Sequence, residues 1–166
     1  MKNLNRAIAV VVFLAFSLVG SSIYGTFEDE SIRRIDSIYI GIEYINPEIK
    51  KEGFSEQTVR RDVELKFRSA GIKIIGENEW LSLKGRPYLL ITPIVKEMSP
   101  NNYVYKIEMR IRQEAKLIRN PSLVVFCTTW NIESFGTSNS ISYIREDLKD
   151  LVDKFLNVYL SVNPVK

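Results

Sequence analysis

The sequence predicts an α+β domain: a mixed, mostly antiparallel sheet, built as β-α-β followed by a three-strand meander, with two amphipathic helices packed on one face. Three observations predict it. Residues 103–117, YVYKIEMRIRQEAKL, alternate cleanly between apolar Tyr105, Ile107, Met109, Ile111 and Leu117 and charged Lys106, Glu108, Arg110, Arg112, Glu114 and Lys116. That period of two describes a strand with one face on a core and one face open. Residues 53–71 and 141–164 instead carry apolar residues at helical spacing. Helices with one apolar stripe each need a sheet face to cover, and the long alternating strand supplies one.

The elements follow in order. Residues 26–34, TFEDESIRR, are polar and read as a flexible lead-in. A single domain is expected over 35–166. IDSIYIGIEYI (35–45) alternates and forms the first strand, ended by Asn46-Pro47. In the helix over 53–71, Ser55 is the N-cap, Phe54 staples onto Val59, and Val59, Val63, Phe67 and Ala70 share one face. Gly71 stops it. IKII (72–75) is a short strand, parallel to the first because a helix joins them. GENEWLSLKGRP (76–87) reads as a loop holding Trp80 and Leu81. YLLITPIVKEM (88–98) is a strand, and Pro93, with no amide hydrogen, points to an edge position or a bulge. Ser99-Pro100-Asn101-Asn102 turns the chain into the alternating strand, and Asn120-Pro121-Ser122 turns it out again. SLVVFCTTWNIESF (122–135) has apolar residues on both faces, which suits a strand covered on both sides. A loop at 136–140 ends in a helix cap. The last helix places Ile141, Ile144, Leu148, Leu151, Val152, Phe155 and Tyr159 on one stripe, closed by Asn163-Pro164.

The N-terminus reads as a signal peptide. Lys2 and Arg6 precede an apolar run from Ala7 to Val19, followed by Gly20, Ser21, Ser22 and Gly25. The run is thirteen residues long, short of the roughly 20 that span a bilayer. Residues 1–25 are therefore expected to be cleaved, leaving an exported, periplasmic or secreted protein without a stable membrane anchor. An uncleaved anchor is the alternative. Ser21 stands where a bacterial lipoprotein would carry its lipid-bearing cysteine.

Composition excludes several function classes. Apolar residues at 45% and charged residues at 26% describe a globular chain rather than a disordered one. The net charge of +3 falls nearly to neutral without Lys2 and Arg6, which is no footprint for nucleic acid. There is no histidine and one cysteine, Cys127. The commonest general base and metal ligand is thus absent, and no internal disulfide can form. No metal, nucleotide or nucleophile motif is present, so no catalytic residue, metal or cofactor is expected. Asp147, Asp150 and Asp153 read as the solvated side of the last helix. Cys127 reads as a small buried residue, with an intermolecular disulfide as the alternative.

The stretch SEQTVRRDVELKFRSAGIKIIGENEW (55–80) resembles the amino-terminal domain of TolB and related CsgG-like envelope proteins. The complete β-α-β-β-β-α order is similar to LptE-like lipoproteins. The resemblance is one of topology and implies a small adaptor domain in a cell-envelope assembly; it transfers no site residue.

The expected function is therefore a non-enzymatic, exported binding domain for an envelope protein, using a sheet edge or the charged sheet face. Lys106, Arg110, Arg112 and Lys116 on that face, with Trp80, are the candidate partner-binding residues. Charge reversal at Arg110 and Arg112 is expected to spare folding and abolish capture. The alternative is a carrier or sensor of a small amphiphile, held between helices and sheet near Trp80 or Trp130.

Overall fold

A computed structural model describes residues 27–164; the signal-peptide reading of residues 1–25 lies outside them. The first strand, β1, is Ser37–Ile42. A short helix, α1 (Pro47–Lys51), follows. Asn46 caps it by accepting from the Glu48 amide, and Pro47 sits at its first turn, where a missing amide hydrogen costs nothing. The helix α2 (Glu56–Ser69) starts at the expected cap, the Ser55 side chain accepting from the Thr58 amide. It buries Val59, Val63 and Phe67. Gly71, at φ 77°, adopts the left-handed conformation that ends helices at glycine. Next come β2 (Lys73–Ile74), the short helix α3 (Glu77–Leu81), and three long strands. These are β3 (Tyr88–Ser99), β4 (Asn102–Leu117) and β5 (Asn120–Ser138), and α4 (Ile141–Val162) closes the chain.

The fold is α+β, with one five-stranded mixed sheet in the order β2-β1-β3-β4-β5. β1 runs parallel to both β2 and β3, and β3-β4-β5 is the antiparallel meander. The helices α2 and α4 meet over one face, where Phe67 stacks on Phe155 with centroids 5.4 Å apart and Trp130 meets Phe155 edge-on at 5.0 Å. Beneath them lie Ile38 and Ile40 of β1, Leu89, Ile91 and Val95 of β3, and Tyr103, Tyr105, Ile107, Met109 and Ile111 of β4, all buried. An ion pair between Arg145 and Asp62 and another between Lys66 and Asp153 tie the two helices together.

Pro93 lies on an internal strand, yet its position is a local edge. The pairing of β1 with β3 runs only from Tyr39↔Tyr88 to Ile42↔Ile91, so nothing on that side asks Pro93 for an amide hydrogen.

Three expectations need correction. The segment 76–87 is not all loop, because residues 77–81 form α3. The lead-in over 26–34 is not flexible where it is described. Residues 27–30 are helical, and Ile32 is fully buried. The Trp130 Nε1 donates to Asp29 at 3.1 Å, and Ser31 Oγ donates to the Thr129 carbonyl at 2.9 Å. Finally, β5 is not covered on both sides but is an outer strand, with only Trp130 buried. The apparent two-faced apolarity comes from a bulge. Ile111 pairs with Trp130 and Arg112 with Thr128, so Thr129 is an extra residue and the side-chain alternation changes phase there. Before it, Val124 and Phe126 share the face of Glu114 and Arg112; after it, Asn131, Glu133 and Phe135 take that face.

Candidate functional site

The face of the sheet away from α2 and α4 carries the charged row. It divides into two halves. In the half near β1, α3 folds back over the sheet and lays Trp80 on it. Trp80 stacks on Tyr39 at 5.5 Å, meets Tyr88 edge-on at 5.4 Å and lies 6.3 Å from Phe126. Its Nε1 donates to the Arg86 carbonyl at 2.9 Å. Arg86 places its guanidinium 4.9 Å from the Phe126 ring centre and pairs with Glu114. Trp80 is thus a lid on a small second core and not a projecting anchor. Arg112 joins this cluster, with its guanidinium 6.0 Å from the Tyr88 ring centre.

The other half holds a ladder of alternating charge. Lys106 pairs with Glu133 at 2.7 Å, and the hydrogen bond it donates to this carboxylate is the main reason the lysine pKa is raised. Arg110 lies 3.8 Å from Glu108 and 3.7 Å from Glu43, and it donates to the Thr92 hydroxyl at 2.9 Å. A row that looks cationic along β4 is therefore largely neutralised by Glu43, just past the end of β1, and by Glu133 of β5. Charge reversal at Arg110 would set a carboxylate beside Glu43 and Glu108. Reversal at Arg110 is thus expected to disturb folding as well as any binding, and so is reversal at Arg112, which packs on the Tyr88 ring.

Lys116 stands apart, exposed near the end of β4 and opposite Val124. The five candidate residues thus do not form one patch: Lys106 and Arg110 share the ladder, Trp80 and Arg112 share the aromatic lid, and Lys116 lies beyond both. Glu43 and Glu133 complete the ladder but depend on strand register, which no local sequence signal carries.

The uncovered feature is the outer edge of β5. This strand is nineteen residues long and carries one charged side chain, Glu133. No strand among the described residues pairs with its outer side. Phe135 is 74% exposed beside Lys106, and Ile94 is 58% exposed on the other side of that lysine. Cys127 is half-buried on β5, its Sγ 3.9 Å from the Gln113 carbonyl oxygen. No group of side chains among the described residues could hold a metal ion. None of the described helices is long and apolar enough to cross a membrane.

Fold and edge together define a small α+β domain with an open sheet margin. Comparison with protein-family models gives no match, and comparison with curated proteins gives no significant one.

Proposed function

We propose that this chain is a non-enzymatic binding domain of the bacterial cell envelope that takes a partner protein's strand onto the outer edge of β5. The observation that carries the proposal is that edge. Folded proteins usually blunt a free margin with lysines, prolines, bulges or short length, because its unpaired amides and carbonyls template another strand. Here the run from Trp130 to Ser138 lies beyond the bulge and holds no proline or lysine. Strand addition draws affinity from main-chain hydrogen bonds and specificity from alternate side chains. Phe135 stands beside the incoming strand, with Lys106 and Ile94 behind it in register on the next two strands. Placement in the envelope rests on Lys2, Arg6 and the apolar run Ala7–Val19.

The amphiphile-carrier reading has less support, since Phe67, Phe155 and Trp130 fill the space between helices and sheet. The test is affinity capture of the tagged protein from native cells, with and without Asn131→Lys and Phe135→Lys. Both positions are exposed, so the double variant is expected to melt within a few degrees of the parent. It is expected to lose at least about tenfold of the captured partner. Undiminished capture by a folded double variant would remove the edge from the mechanism.

A further inference from the structure

On the turn side of the bulge the β4–β5 hairpin outruns its support. On the helix side, Gln113, Ala115 and Leu117 are only half-buried, although the same face of β4 is buried from Tyr103 to Ile111. Alongside β4 the loop before β3 reaches as far as Glu114, whose amide donates to the Gly85 carbonyl at 2.8 Å. Past that point the hairpin projects. Leu123 and Val124 are 46% and 47% exposed, and Ile118, at the turn, is 98% exposed. Turns ordinarily take glycine, asparagine or other small polar residues, so a bare isoleucine there has no local explanation.

The charge of this tip is one-sided. No carboxylate occurs from Ala115 through Ile132, while Lys116 and Arg119 flank Leu117 and Ile118. The same end of the sheet carries Arg34 and Lys84, which line one cleft together with Asp36. Register places them there: Ser37 pairs with Lys73, and Tyr39, Tyr88 and Arg112 are matched across three strands. The described chain also enters at this end, with Asp29 held by Trp130.

We infer that the tip of the β4–β5 hairpin contacts an anionic bilayer surface, with Ile118, Leu117 and Leu123 entering the interface and Lys116 and Arg119 resting on acidic headgroups. Apolar side chains at the headgroup boundary combined with flanking cations are the chemistry that binds such surfaces. The contact is separate from the outer edge of β5 at Trp130–Ser138, and it would orient that edge relative to the membrane.

The test uses the exported, processed protein and vesicles with brominated acyl chains. One set contains phosphatidylglycerol and the other phosphatidylcholine alone. Ile118→Trp places a reporter at the tip, and Leu65→Trp places one on the exposed side of α2. Emission from Ile118→Trp is expected to shift to the blue and to be quenched only when phosphatidylglycerol is present, with the Leu65→Trp difference spectrum unchanged. Adding Lys116→Glu and Arg119→Glu is expected to lower the vesicle-bound fraction about tenfold or more. Asn131→Lys with Phe135→Lys is expected to leave the quenching intact, which separates this inference from the edge-binding one. An Ile118→Trp signal indifferent to phosphatidylglycerol vesicles would overturn the proposal, even if the protein floats with them by another segment. Binding unaltered by the two charge reversals would overturn it as well.

Discussion

Asp62 and Arg145 join α2 to α4 through a paired carboxylate and guanidinium. The hydrogen bond from Arg145 holds the Asp62 pKa below its usual value, with burial acting in the opposite direction. An unfolded aspartate titrates at about 4. Because the folded value is lower, the pair stabilises fully above that pH, and the contribution is lost as pH falls through the folded value. Asp62→Asn is expected to cost about 1 kcal/mol at neutral pH. The difference from the parent should shrink as the pH is lowered below about 4, and urea unfolding at both pH values measures it. Trp80 gives a second residue-scale prediction. Trp80→Ala uncovers Tyr39, Tyr88 and Phe126 and is expected to cost about 2 kcal/mol, with Trp80→Phe recovering most of it. An equal loss in both variants would mean the indole hydrogen bond to Arg86, not ring packing, holds the lid. At this scale the sequence is legible where a residue's role is local. Ser55 and Ser140 cap their helices as their positions imply. The partners of Lys106 and Arg110 are not legible, because Glu133 and Glu43 reach them only through strand pairing.

At the scale of elements, α2, α4 and β4 were readable because each repeats its apolar period over many residues, and the repeat dictates which face is buried. The short helices α1 and α3 offer too few turns to show a period. β5 misled for a sharper reason: the added residue at Thr129 inverts the alternation, so one outward and one inward set look like two apolar faces. That bulge also anchors the lead-in. Gln113 Nε2 donates to Thr129 Oγ1 at 2.8 Å and to the Ser31 carbonyl at 3.0 Å. Deleting Thr129 would leave the strand pairings on both sides in phase, but it would remove the bulge, the Oγ1 that accepts from Gln113 and the carbonyl that accepts from Ser31. The expected outcome is a destabilised domain in which amide exchange at Ile32 and Ile35 rises at least about tenfold relative to α4. Unchanged protection there would show that the lead-in packs independently of the bulge.

For the whole molecule, the layering of helices over one sheet face follows from composition and period, but the identity of the outer strands does not. Strand order depends on which edges meet across the entire chain, and nothing within residues 120–138 records that β4 lies on one side and solvent on the other. The same global arrangement turns the charged row of β4 into a neutralised ladder and leaves the long, nearly uncharged β5 as one free margin of the sheet. Binding through that margin is the central claim. It is tested most directly by in-cell photocrosslinking, with a photoreactive residue placed in turn at every position from Asn131 to Thr137 and at Ile94, Lys106 and Leu65. Strand addition gives crosslinks to one protein from successive β5 positions on both faces, with little from Ile94 or Lys106 and none from Leu65. Crosslinks confined to Asn131, Glu133, Phe135, Ile94 and Lys106 would instead place the partner on the charged face and contradict edge pairing.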